Sequence, residues 1–275
     1  MGLRIATNVP SINAQRQLKQ NSGAIETSMQ RLSSGQRINK SSDDVAGLAI
    51  SEKMRGQIRG LAQAQRNAQD GVSFMQVADG ALGETSNILI RVRELATQAA
   101  SDTVGETERK FVNVEVKQLL TEMNRISDTT EYSGTKLLNG SAGVLDFQVG
   151  TGGGDNNVIS FNAGEANASA SALGLSGLGV ETKADARSTL DNIDQALNKV
   201  GTMRASFGAI QSRMGATINN LGVYEENLTA ANSRIRDTDF AKEAADLAKN
   251  SIVQQASVAT LAQANQNTAL ALKLL

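Results

Sequence analysis

Neither cysteine nor histidine occurs among the 275 residues, and tryptophan is absent too. The missing thiols exclude disulfides and thiolate metal sites. The missing imidazole excludes His-ligated zinc, Ser-His-Asp chemistry and histidine acid–base catalysis. With 3% aromatic residues against 40% hydrophobic ones, the chain is short of rings but not of apolar bulk. Its cores are therefore expected to be seams of Leu, Ile, Val, Met and Ala between helices. The net charge is −1 and the basic residues are dispersed, so the electrostatic footprint of a nucleic-acid binder is missing. These absences leave a non-enzymatic protein with no cofactor as the expectation.

A local absence is as informative. From Asn250 through Leu272 there is no charged residue, yet Gln254, Gln255, Gln263, Asn265, Gln266 and Asn267 are scattered through the stretch. So many amides are costly at bilayer depth, which argues against a membrane span. A solvated helix of a monomer would carry charge on its outer face. The remaining expectation is a helix surrounded by other protein. At the other end, MGLRIATNVP lacks the apolar core of a cleavable leader. Ala6 stands where N-myristoylation wants Ser or Thr. An exported product would then need a route that cleaves no leader.

Between these ends the pattern is helical. Residues 1–9 read as extended, and Pro10, the one proline, suits the first turn of a helix. Leu18, Ile25 and Leu32 follow at intervals of seven, with Met29 beside them. Ser42-Asp43-Asp44 forms a helix start, with a side-chain acceptor at the cap and carboxylates at the positive end of the dipole. From there Met54, Leu61, Ala68, Met75, Leu82, Leu89 and Ala96 recur every seven residues. An offset series (Gln57, Ala64, Gly71, Ala78, Thr85, Val92, Ala99) is mostly small, which permits close approach. A helix to Ala100 would be roughly 85 Å long. A second helix is expected over 106–129 with Phe111, Val114, Val116, Leu119, Met123 and Ile126 on its apolar side, folded back antiparallel on the long one.

Residues 131–180 change character. Val144–Val149 and Val158–Phe161 alternate in strand fashion about GTGGGDNN and predict a β-hairpin. Lacking a following Lys and a helix start, that glycine loop fails as a phosphate cradle. The small residues Ala163–Gly179 read as an irregular surface segment. A third long helix is predicted over 183–235, where Ile193, Val200, Phe207, Met214, Leu221, Leu228 and Ile235 recur at seven. After Arg236-Asp237-Thr238-Asp239 the terminal helix begins. The order of elements is nearly symmetric about the hairpin, so the chain ends should lie together.

These residues resemble a known family. LSSGQRINKSSDDVAGLAISEKMRGQIRGL (Leu32–Leu61) is similar to the N-terminal signature of bacterial flagellins. ENLTAANSRIRDTDFAKEAADLAKNSIVQQASVATLAQANQ (Glu226–Gln266) resembles their C-terminal one, and Arg91–Ala100 and EYSGTKLLNG match too. The resemblance implies a mainly α fold, a long coiled-coil-like helical rod with paired N- and C-terminal helices and a small β-hairpin. It divides the chain into 1–42 plus 240–275, a terminal-helix filament-core domain, and 43–239, a rod domain with the hairpin region at about 131–180. Only some twenty small residues stand where many members insert outer domains, so the short form is implied. Relatives often carry a proline where this chain reads Gln266-Asn267-Thr268, so its last helix is expected to continue further.

As to function, the resemblance implies a structural subunit that polymerises into the extracellular flagellar filament. Filament-core contacts would come from Leu18, Ile25, Leu32, Leu247, Ile252, Val258, Leu261 and Leu272. Its terminal segments, marginal as isolated helices, would order only against neighbours. Implied partners are further copies of the chain, the hook-associated junction and cap proteins, and a cytoplasmic chaperone on the C-terminal segment. Nucleic acid and membrane are not implied. Export unfolded through the flagellar type III apparatus is. Arg91, Leu95 and Glu115 sit where members recognised by the animal Toll-like receptor for flagellin carry receptor contacts, although Ile90 stands where many of those have Gln. The alternative is a hook–filament junction protein, which shares the terminal heptads but forms only a short ring.

Overall fold

The computed structural model describes the backbone of residues 7–273 and the side chains of 7–266. The extended stretch expected before Pro10 falls mostly outside the described residues. Helix α1 (Val9–Ser34) starts where Asn8 Oδ1 accepts the Ser11 N–H at 3.1 Å, with Pro10 in its first turn. It stops at Gly35, whose φ of 68° is the left-handed conformation glycine adopts freely. Helix α2 (Val45–Ala99) is capped by Asp44, whose Oδ1 accepts the Gly47 N–H at 2.8 Å. Asp43 turns the other way: its carboxylate takes the N–H groups of Asn39 and Lys40 and closes the connecting turn.

Helix α3 (Glu106–Thr129) follows a short turn held by Arg109, which donates to the carbonyls of Ala99 and Ser101. Two antiparallel hairpins come next, β1 (Glu131–Tyr132) with β2 (Thr135–Lys136), and β3 (Val144–Gln148) with β4 (Val158–Asn162). After the short helix α4 (Ala170–Leu173) come α5 (Lys183–Arg236) and α6 (Phe240–Lys273). Asp239 caps α6 by accepting the Lys242 N–H at 3.1 Å. The last helix runs on past Thr268, as the missing proline predicts.

Residues up to Gly56 and from Asn227 onward form one compact unit, and Gln57–Glu226 form the other. The divide therefore lies inside α2 and α5, away from the breaks near 43 and 239. The breaks are tied to each other instead. Arg37 N–H donates to the Arg236 carbonyl at 2.6 Å, Thr238 N–H to that of Gly35, and Arg236 forks to Gln36 and Glu52.

In the central unit Leu61, Ala68, Met75, Leu82, Leu89 and Ala96 are all buried, and so is the small series from Ala64 to Ala99. Ile193, Val200, Phe207, Met214 and Leu221 of α5 are buried in the same way. The heptads thus form the core in two clusters, a large one running from Phe74 to Phe207 and a small one of Ala68, Val149, Ile159 and Met214. The hairpin adds Leu145 opposite Phe161 and Phe147 opposite Ile159 on its inner face. Phe74 meets both Tyr132 and Phe147 edge-on at 5.8 Å, so the few rings anchor the hairpins to α2.

Two expectations are corrected. The inner face of α3 is Asn113, Val116, Leu120, Met123 and Ser127, while Phe111 (71% exposed) and Val114 point outward. The α3 sequence is apolar on two sides, so spacing alone picked a mixture of both. The small-residue segment is not a surface loop: Ala163, Ala166, Ala168, Ala170, Leu173, Leu175 and Val180 are buried. Its backbone is satisfied partly by its own turns and by the Leu138 carbonyl, and partly from α3, with Asn124 accepting the Ala170 N–H and Asn113 that of Val180.

Candidate assembly interface

Helices α1 and α6 lie antiparallel, and polar groups set their register. Asn8 Nδ2 donates to the Ala264 carbonyl at 3.0 Å, Ser11 Oγ to Asn265 Oδ1 at 3.0 Å, and Asn21 Nδ2 to the Asn250 carbonyl at 2.7 Å. Gln254 reaches Ser22, and Arg31 pairs with Glu243 at 3.6 Å. Each partner pair sums to nearly the same residue number, as a straight antiparallel pairing requires. The amides that make the tail look odd in sequence therefore serve in part as an intrachain ruler.

Leu18, Ile25 and Leu32 of α1 share the helix face that carries Ser11, Asn21 and Ser28, and all three are half-buried. Leu247 and Leu261 are half-buried on α6. Ile252 (67% exposed) and Val258 (52%) stand on the outward side of α6. The side chain of Leu272 lies outside the described residues. Sequence spacing did not single out Val9, Ile12, Phe240 and Val253, which are exposed as well. For Val253 the signal is the charge-free composition around it, whereas Phe240, between Asp239 and Lys242, carries no such signal.

Among the described residues this unit buries one hydrophobic side chain, Ile38; its other buried positions are Ser11, Ser28, Gly47 and Ser51. A helical hairpin of this size with apolar groups outside and serines inside has no core of its own. Among the described residues no helix is long and apolar enough to cross a membrane.

The other candidate cluster lies in the central unit. Arg91 donates to Glu115 from Nε at 3.1 Å and Nη2 at 2.9 Å, and to Glu94 from Nη1 at 3.0 Å. These carboxylates, Glu115 foremost, hold the guanidinium in its charged form more firmly than usual. The pair bridges α2 and α3 at the surface. Leu95, at 3% exposure, is packed inward, because it belongs to the buried stripe of α2 and not to the Arg91 face. The i, i+4 spacing brought the two residues near each other without giving them the same neighbours.

Residues 5–143 match the bacterial flagellin N-terminal helical region, and residues 190–275 the C-terminal helical region. Flagellin of Halalkalibacterium halodurans is 45% identical over 268 residues, 98% of both chains. Flagellin of Bacillus subtilis is 44% identical over 303 aligned positions, covering 99% of this chain and 100% of that one. The crystal structure of Bacillus cereus flagellin matches 57% of this chain and 88% of its own at a TM-score of 0.50 and 30% identity. A Vibrio parahaemolyticus structure described as a flagellar hook-associated protein reaches a TM-score of 0.59 over 71% of this chain, but at 13% identity, a likeness of fold alone. With both helical regions matched and full-length relatives above 40% identity, the chain belongs to the bacterial flagellin family.

Proposed function

We infer that the chain is the structural subunit of a flagellar filament, not an enzyme, and that its terminal pair is completed by neighbouring copies. The observation that carries this is the α1–α6 unit itself, which leaves Ile12, Met29, Phe240, Ile252 and Val258 exposed over almost no buried apolar residue. An open-ended polymer needs heterologous contacts, and an unfinished helical pair offers different surfaces for two neighbours. The marginal stability of such a pair alone supports ordering on assembly. Deleting residues 241–275 should abolish seeded filament growth seen by electron microscopy, while circular dichroism still reports a helical central unit. A truncated chain that polymerised would end this reading. A junction protein would instead give short rings in the same experiment.

The family relationship supports secretion to the cell exterior by the type III route, with junction and cap proteins at the filament ends and a chaperone on the C-terminal segment. It also supports the animal Toll-like receptor for flagellin as a partner. On this chain the exposed Arg91–Glu115 pair would be the docking point, while the buried Leu95 offers the receptor no surface. Arg91→Ala should lower the signal in a receptor reporter assay. An unchanged signal, or none from the parent, removes the receptor from the list of partners.

A further inference from the structure

We propose that Met29 is an oxidation site through which peroxide controls assembly, its sulfoxide keeping the subunit out of the filament. The proposal rests on the assembly reading above. Exposure separates the methionines sharply. Met75, Met123 and Met214 are 0% exposed, Met54 and Met203 are half-buried, and Met29 is 59% exposed. With no cysteine in the chain, a thioether is its only oxidisable sulfur.

Met29 also occupies a particular place. Together with Ile25, Ser22 and Ser33 it lines a groove of about 670 Å³ along α1, rimmed by Glu26 and Lys40. Among small serines, Met29 and Ile25 are the apolar groups of that groove, and of the two only Met29 is exposed. This is the unit that lacks a core of its own, so Met29 is among the groups a neighbouring copy covers on assembly.

The chemistry is a two-electron oxygen transfer. The Met29 sulfur attacks the terminal oxygen of hydrogen peroxide and forms an S–O bond as the O–O bond breaks. The departing hydroxide takes the proton of the transferred oxygen and leaves as water. Sulfur is oxidised and peroxide reduced, with no further reactant. The product exchanges a flexible apolar group for a polar, strongly accepting one. Covering it with an apolar neighbour leaves a desolvated acceptor, which weakens each subunit addition by about tenfold.

The experiment treats purified full-length monomer with dilute hydrogen peroxide and maps sulfoxide on tryptic fragments. Met29 lies alone in the fragment from Gln20 to Arg31. Expected are early sulfoxide in that fragment, unmodified Met75, Met123 and Met214, and about a tenfold rise in the critical concentration for seeded growth. Methionine sulfoxide reductase should restore growth, and treated Met29→Leu should grow like the untreated parent. Loss of growth in treated Met29→Leu, or normal growth of protein carrying Met29 sulfoxide, overturns the proposal. Failure of the untreated parent to polymerise would instead overturn the filament reading on which it stands.

Discussion

Gly71 shows how much a single missing side chain contributes to the seam. It is buried in α2, and a Cβ built there would lie 2.7 Å from Met214 Cε, 2.8 Å from its Sδ and 3.1 Å from a Phe147 ring carbon. Met214 can swing away, but Phe147 is fixed by the hairpin and by its contact with Phe74. A branched side chain must therefore displace the hairpin or the helix. Gly71→Val should destabilise the monomer by about 1–3 kcal/mol, the usual cost of overpacking. Gly80 is the control. It is exposed on the same helix, with nothing within 4 Å of a built Cβ, so only the propensity term operates. Gly80→Ala should stabilise by up to about 1 kcal/mol. Urea unfolding of both variants measures the two effects, and equal signs would show that Gly71 is not a packing position.

At the level of the element, each helix has been asked to do one of two jobs. In the central parts of α2 and α5, Leu61–Ala96 and Ile193–Leu221, the heptads face partners in the same chain and their bulk is hidden. Salt bridges such as Arg93–Asp194 and Arg204–Asp79 join the two helices at the surface, both at 2.8 Å. In α6 the stretch from Asn250 onward carries no charge as far as Leu272, and Ile252 is uncovered. Ile252→Asp should accordingly leave the unfolding midpoint of the monomer nearly unchanged, within about 0.5 kcal/mol, as surface substitutions do. The same change should stop filament growth, because a carboxylate would be desolvated between copies. Turbidity or electron microscopy of seeded samples reads the second effect; normal growth would place Ile252 away from any contact. This division also decides what the sequence made legible. Long heptad runs such as Leu61–Ala96 have one buried face and one period, and they are readable position by position. Helix α3 was readable in extent but not in phase, since Phe111 and Val114 offer a competing apolar stripe. The segment Ala163–Gly179 reads as surface because small residues bury well only when their backbone finds partners elsewhere, here in part from Asn113 and Asn124. For the candidate interface, the missing charge identified the tail, while its pairing with α1 through Asn21 and Ser22 needed three dimensions.

For the whole molecule, the missing histidine governs the response to pH. The carboxylates whose ionisation matters most are held below their ordinary range. Asp43 is lowered from 3.8 by the N–H groups of Lys40 and Asn39. Asp102 is lowered by the Lys183 ammonium and Asp194 by the Arg93 guanidinium, each through a direct hydrogen bond. Glu122 is lowered from 4.5 by Arg125. A carboxylate depressed in the folded state binds its proton more readily when unfolded, so its stabilisation is complete above the unfolded value. It is lost as pH falls through the folded one. The corresponding arginines are held more firmly charged, and they stay so over the whole range. No side chain with an ordinary pKa near neutrality is present to add a second transition. The urea midpoint of the monomer should therefore be flat from about pH 7 to about pH 5 and drop only below about pH 4, where these groups titrate. Because the groups are exposed, raising the salt concentration should shrink the acid drop and leave the neutral plateau in place. A midpoint that moved between pH 7 and pH 5 would mean that some buried carboxylate has been pushed upward into that range. That outcome would overturn the account of the charges as surface clamps between helices whose stability comes from their apolar seams.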